Sequence, residues 1–253
     1  MKDFFCVCVL YRYFFAYICD IVVANIFVMQ ATHLLYFNNS DYPKKLRECA
    51  DAPSLLYAIG NVDFNNNFVL SIVGTRKPDS NAAIYIDKFV SDLRQYRKDI
   101  VIVSGLAVGV DTIAHETAIK YGFKTVAVMG TGFDHIYPSE NTDLANRIVS
   151  SGGALLTEYE YGHQISPNNF PQRNRIVAGL CDALLVVQSP IRGGSLITAA
   201  LANSYNRDVF AFPGRPDDEL FAGCNHLIRN NMAAIITSAE DMEWYFGWER
   251  RGC

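Results

Sequence analysis

The stretch SIVGTRKPDS (71–80) runs from an apolar strand directly into a polar loop opened by a glycine. Five more segments repeat the pattern: VIVSGLAVGVD (101–111), VAVMGTGFDHIYP (126–138), ALLTEYEYGH (154–163), ALLVVQSPIRGGS (183–195) and VFAFPGRPDD (209–218). Between them lie helical patterns over Asn81–Tyr96, Val110–Tyr121, Glu140–Val149, Asn174–Leu180 and Leu196–Tyr205. In the first of these, Ala82, Ile86, Phe89, Val90 and Leu93 share one face. Short strands alternating with longer helices are repeated βαβ units, so the fold class is α/β with a mainly parallel, doubly wound sheet and flanking helices. In such a sheet every loop that follows a strand emerges at one edge, where the ligand crevice lies. Six loops far apart in sequence therefore converge on one groove.

The composition suits that reading. Of 253 residues, 50% are hydrophobic and 19% charged, which is enough apolar material for a sizeable core and argues against disorder. The formal net charge of −4 announces no nucleic-acid binder, so any anion site has to be built locally. The seven cysteines are scattered without a CxxC pair; only Cys6 and Cys8 are close, and buried thiols in a reducing cytoplasm are expected. No metal site and no cofactor are expected.

Residues 1–30 differ from the rest. Phe4 to Met29 are apolar and aromatic, but Arg12 and Asp20 interrupt the run, each costing about 2.5–3.5 kcal/mol at the centre of a membrane span. Three readings stay open for it: a stretch upstream of a later start at Met29, a packed helix, or a membrane anchor. Residues 31–62 read as a short helix-and-turn lead-in punctuated by Pro43 and Pro53. No segment after residue 30 is long and apolar enough to span a membrane.

The loops carry chemistry suited to an anion. In GTRKPDS, Gly74 allows a tight turn, Ser80 is the expected helix cap, and Arg76 and Lys77 supply charge beside free helix amides. The glycines of GxGxxG are absent, which disfavours a nicotinamide cofactor. In SGLAVGVDTIAH, Gly105 and Gly109 permit close backbone approach and Asp111 is the expected cap of the helix carrying His115, a structural histidine. Gly130 and Gly132 offer amides, and Phe133 and Tyr137 offer faces on which bases can stack for about 1–3 kcal/mol each. Arg173 and Arg175 fall at the start of a helix, against the preference for acids there; either an anionic partner or Glu158 and Glu160 would balance them. Arg192, Gly193 and Gly194 precede Ser195, which reads as a further cap; GGS lacks the GxSxG elbow of a nucleophile. Arg215 completes the set of cations, and Asp79, Asp111, Asp134, Glu158, Glu160 and Asp217 make the edge one of mixed charge.

Taken in order, these strings resemble the DNA-processing protein A family (DprA, or Smf). The resemblance rests on GTR (74–76), SGLAVGVDTIAH (104–115), GTGFDHIYPSEN (130–141), FPQRNRIVAGL (170–180), GSLITA (194–199), VFAFPG (209–214) and GCNHLI (223–228). It covers about Leu34 to Asp241. Departures are Val108, where a basic residue is frequent, and Gln188, where an acid is frequent. The family's amino-terminal helical domain is replaced by the apolar segment, and its winged-helix-like carboxyl-terminal domain is not expected in this chain.

The resemblance implies an extended Rossmann-like domain over 31–241, followed by an aromatic tail over 242–253. It implies a cytoplasmic, non-enzymatic protein that binds single-stranded DNA in a basic pocket, forms a homodimer and helps load RecA recombinase during natural transformation. Arg76 is the residue expected to hold a phosphate, with Arg173, Arg175 and Arg192 as further candidates. The alternative is a nucleotide-binding protein or nucleotide hydrolase on the same scaffold. Hydrolases of this kind carry PGGxGTxxE, and RGGSLITA (192–199) has no glutamate at that spacing.

Overall fold

The computed structural model describes residues 32–248. Among the described residues nine strands form one sheet: β1 (Thr32–Tyr36), β2 (Leu55–Gly60), β3 (Phe68–Val73), β4 (Ile100–Ser104), β5 (Lys124–Val128), β6 (Ala154–Thr157), β7 (Ala183–Val186), β8 (Asp208–Ala211) and β9 (Ala234–Ile235). Their spatial order is β1-β2-β6-β5-β4-β3-β7-β8-β9. The run from β6 to β9 is parallel throughout, while β2 pairs antiparallel with both β1 and β6. The strands of the sheet centre are apolar along their length because helices cover both faces. Every residue of β3, β4, β6 and β7 is buried.

The helices are α1 (Lys44–Arg47), α2 (Ser80–Tyr96), α3 (Val110–Lys120), α4 (Thr142–Ser150), α5 (Asn169–Leu180), α6 (Gly194–Ser204), α7 (Ala222–Arg229) and α8 (Ala239–Phe246). α2 packs against α3 and α8, α3 against α4, and on the other side α5 packs against α6 and α1. The chain winds outward from β3 through β4, β5 and β6, then crosses back to build β7, β8 and β9 on the opposite flank. The order therefore reverses between β3 and β7, and ligands of open α/β sheets bind at such a switch point.

Four local expectations change. The lead-in is not only helix and turn: β1 and β2 extend the sheet as an antiparallel flap. α2 is capped by Asp79, whose carboxylate accepts from Asn81 N at 2.9 Å and Ala82 N at 3.2 Å; Ser80 is already helical. Gly109 and Gly193, not Asp111 and Ser195, precede α3 and α6, and neither helix has a side-chain cap. α5 starts at Asn169 rather than Asn174, with Pro171 in its first turn, where a missing N–H costs nothing.

The boundary expected after Asp241 falls inside α8. Met242 is fully buried, and the Phe246 and Trp248 rings pack at 5.0 and 5.1 Å on Phe68. A Ser238–Asp241 capping box opens this helix and left-handed Gly247 closes it. Cys49, Cys181 and Cys224 are buried free thiols, while Cys6, Cys8 and the readings made for residues 1–30 lie outside the described residues. No described helix is long and apolar enough to cross a membrane.

Candidate functional site

The loop after β3 is seated on the start of α3. Gly109 has φ +88°, and a Cβ there would come within 2.5 Å of the Thr75 carbonyl and 2.8 Å of Arg76 Cα. Only glycine permits both the left-handed backbone and that approach. With Val110 N donating to Thr75 O at 3.2 Å and Thr75 N to Gln188 O at 2.7 Å, the backbone of Arg76 is fixed while its side chain stays exposed. Gly105 serves the neighbouring loop. A Cβ there would overlap both Arg173 Nη1 and Asp111 Oδ2, so these two side chains meet over its Cα.

A cavity of about 240 Å³ opens here, bounded by Gly74, Thr75, Arg76, Gly105, Asp111, Arg173 and the Gly193–Ser195 start of α6. A smaller one, about 60 Å³, shares Arg76, Ala107 and Arg173 with it and extends to Gly130, Tyr137 and Phe170. Arg173 is thus common to both, and is only 5% exposed. Its Nη1 donates to the Val128 carbonyl, its Nε has no partner, and burial lowers its pKa from the usual arginine value. Asp111 shifts the opposite way: burial raises its carboxyl above the usual range, and Arg173 and Arg76 pull it back down.

The structure divides the cations of this edge into two groups. Arg175 is neutralised by Glu158 at 2.6 Å, with Asp51 at 4.0 Å, so it lies outside both cavities as a tie between β6, α5 and the lead-in. Arg215 is paired with Asp217 at 2.7 Å. Asp79 is occupied by its cap and by Gln188 Nε2 at 2.7 Å. Among the described residues no carboxylate forms an ion pair with Arg76, Lys77 or Arg192, and all three are exposed. Lys77 and Arg192 stand on the rim and do not line the cavities.

The aromatics separate likewise. Tyr137 is 51% exposed, tilted against Phe170 at 5.0 Å, and presents a face to the smaller cavity. Phe133 is half-buried against a second small core of Leu106, Met129, Leu144 and Ile148. Gly130 lies under the Phe170 ring, and Gly132 is wedged against the Glu160 carbonyl. Ser195 is buried and donates to Ser189 Oγ at 2.8 Å, leaving the start of α6 without a side-chain cap. His115 is fully buried, Nδ1 2.7 Å from Thr125 Oγ1 and Nε2 3.2 Å from the Gly105 carbonyl, and desolvation lowers its pKa to about 4. It has the surroundings of a core histidine. Sequence reasoning missed Phe170 as a wall and read Asp111 as a cap; the FP of FPQRNR was the available signal for the first. Among the described residues no cluster of His, Cys, Asp or Glu is placed to hold a metal ion.

A doubly wound sheet with unpaired guanidinium groups and an uncapped helix start at its switch point, and an exposed tyrosine beside them, defines a Rossmann-like protein with a crevice whose chemistry suits an anion. Residues 33–246 match the family model described as DNA recombination-mediator protein A, and the chain belongs to that family. It is 43% identical over 201 residues to DNA processing protein DprA of Streptococcus pneumoniae, covering 79% of this chain and 70% of that protein. It is 40% identical over 204 residues to protein Smf of Synechocystis, covering 79% of this chain but 50% of the relative. The chain thus spans half the length of that relative. The fold superposes on the X-ray structure of S. pneumoniae DprA with TM-score 0.78 and 39% identity, over 87% of this chain and 75% of that one. It also superposes, with TM-score 0.75 and 28% identity, on Helicobacter pylori DprA, over 86% and 97% of the two chains; that protein's structure was determined for its single-stranded DNA binding mode.

Proposed function

We propose that this chain is a single-stranded DNA-binding protein that acts without catalysis in DNA processing, protecting incoming strands and helping to load RecA recombinase. The carrying observation is the pair of neighbouring cavities that share Arg76 and Arg173 in their walls, the smaller of them bordered by the exposed Tyr137. Arg76 and Arg173 suit phosphate oxygens, with Lys77 and Arg192 on the rim, and Tyr137 suits a base. Single strands fit this arrangement because an unstacked base is needed to reach the Tyr137 face. The DNA-processing relatives support the DNA-binding part of the reading, and RecA loading is proposed for this chain as a member of that family. The protein would act in the cytoplasm.

Homodimerisation belongs to the same proposal. Among the described residues β9 is one of the two edge strands of the sheet, with Ile235 exposed on it, and Trp244 (81% exposed) and Tyr245 stand beside it on α8. An apolar patch around an open strand edge is the usual mark of an interface.

The test is fluorescence anisotropy with a labelled single-stranded oligonucleotide, competed by duplex and repeated across a salt series. Salt-sensitive binding that prefers single strands is expected. A folded protein that ignores the oligonucleotide but binds a mononucleotide stoichiometrically would replace this reading with the nucleotide-binding one.

A further inference from the structure

An acid inside an anion site needs a reason. Asp111 lines the same cavity as Arg76 and Arg173 and is 9% exposed. It meets Arg173 over the Gly105 Cα, yet the two are not hydrogen-bonded: Arg173 Nη1 serves the Val128 carbonyl and its Nε has no partner. The carboxylate therefore consumes none of the Arg173 donors, and Nη2, which makes no hydrogen bond among the described residues, remains for a ligand. The carboxylate cannot easily leave when one arrives. It accepts from Ala107 N at 3.4 Å, faces the Ser104 hydroxyl and is packed on Gly105. A phosphate drawn to Arg76 and Arg173 would share those cations with a fixed negative charge that water hardly screens. The remaining relief is a proton.

We propose that Asp111 takes up a proton when a strand phosphate occupies the Arg76–Arg173 cavity, so that single-strand binding is coupled to pH through this one residue. The coupling rests on the single-strand reading above. One proton moves from solvent to a carboxylate oxygen of Asp111, and no other bond changes. The resulting O–H becomes a donor that suits a phosphate oxygen, so a repulsive contact turns attractive.

The groups facing Asp111 are few. Arg173 approaches from α5, Arg76 from the loop after β3, and Ser104 from the end of β4. On its own helix, His115 is buried one turn on, with a pKa of about 4, so it stays neutral near neutral pH. The titratable group nearby in sequence to the smaller cavity is the exposed His135, 3.5 Å from Asp134, and the test has to separate it.

Oligothymidylate serves as probe, because neither its bases nor its phosphodiesters titrate near neutral pH. Calorimetry with the full chain, in two buffers of different ionisation enthalpy at about pH 7.5, is expected to report net uptake approaching one proton per site. Anisotropy at constant ionic strength is expected to show affinity rising by up to about tenfold per pH unit between about pH 8 and about pH 6. Asp111→Asn should lose the uptake, flatten the profile and bind about tenfold more tightly at about pH 8, since the neutral amide imitates the protonated acid. His135→Asn should retain the uptake.

Binding without uptake in the wild-type chain overturns the coupling while leaving the single-strand reading standing. Uptake that survives in Asp111→Asn, or that vanishes in His135→Asn, also overturns it. A wild-type chain that ignores the oligonucleotide removes the underlying reading and the coupling with it. Should Asp111→Asn not fold, the wild-type calorimetry and His135→Asn still decide.

Discussion

Removing Arg76 should change the salt dependence of DNA binding by a predictable amount. Four cations are open to a strand at this edge: Arg76 and Arg173 in the cavities and Lys77 and Arg192 on the rim. If each meets one phosphate, counterion release gives a slope of about −0.7 per contact, hence about −2.8 in log affinity against log salt. A fourfold rise in salt would then weaken binding about 50-fold. In Arg76→Ala the slope should fall to about −2.1, and the same rise in salt should cost only about 20-fold. At fixed low salt the variant should lose about 1.5–3 kcal/mol, the worth of a hydrogen bond to a charged group. Arg215→Ala is the control, since that guanidinium is already held by Asp217 at 2.7 Å and its loss should leave the slope alone. Anisotropy titrations at four or more salt concentrations read both quantities. Parallel lines for wild type and Arg76→Ala would refute the assignment, however much the affinity itself changed.

The other expectations follow from the same geometry. Tyr137→Ala should weaken oligonucleotide binding by about 1–3 kcal/mol with little change in unfolding temperature. Phe133→Ala should do the reverse, because its ring packs on the second core: about 2 kcal/mol of stability lost and an unchanged salt slope. Gly109→Ala should cost about 1–2 kcal/mol for the left-handed backbone alone, more for the contact with Thr75, and should weaken DNA binding by displacing Arg76, read by urea unfolding and anisotropy on the same sample. His115 makes stability depend on pH. Its folded value of about 4 lies below the unfolded value of 6.5, so the unfolded chain binds the extra proton. Stability is whole above about pH 6.5 and is lost as pH falls toward about 4, by about 3 kcal/mol in all. His115→Gln should flatten that part of the urea-unfolding profile, and an identical profile would place the titration elsewhere.

The sheet was legible because its centre is unambiguous: FVLSIV, IVIVS and ALLV are apolar on both faces, and each ends at a glycine or polar turn. β1 and β2 were not legible. THLLY and LLYAIG show no apolar–polar alternation in sequence, and β2 is placed by pairing with β1 and with β6, the latter nearly a hundred residues away. Such partners leave no periodic trace in the local sequence. Cap assignments failed for a related reason. Ser80, Asp111 and Ser195 are all good capping residues standing one (Ser80) or two (Asp111, Ser195) positions too late, and where glycine stands at the cap the helix starts without a side-chain cap. At the site, the convergence of loops was readable but the pairing of charges was not. Nothing in QRNR says that Arg173 turns to Val128 and the cavities while Arg175 turns to Glu158; the helical rotation of about 200° between them decides it.

On the proposed reading, that division of arginines is what would let a chain of net charge −4 hold a polyanion. The background field is repulsive, but at physiological salt it is screened over about 8 Å, so only groups close to the strand count. Exposed carboxylates elsewhere therefore do little harm, and what matters is which cations are free at the crevice. Arg175 and Arg215 are tied by acids and hold structure together. Arg173 is the opposite case: its buried guanidinium lines both cavities and, among the described residues, forms no ion pair with an acid. Its neighbour Asp111 offsets part of the cost of that burial by charge alone, without taking a hydrogen bond. The arrangement keeps the guanidinium stable and leaves Nη2 available. A bonded Arg–Asp pair would have secured the first only by giving up the second.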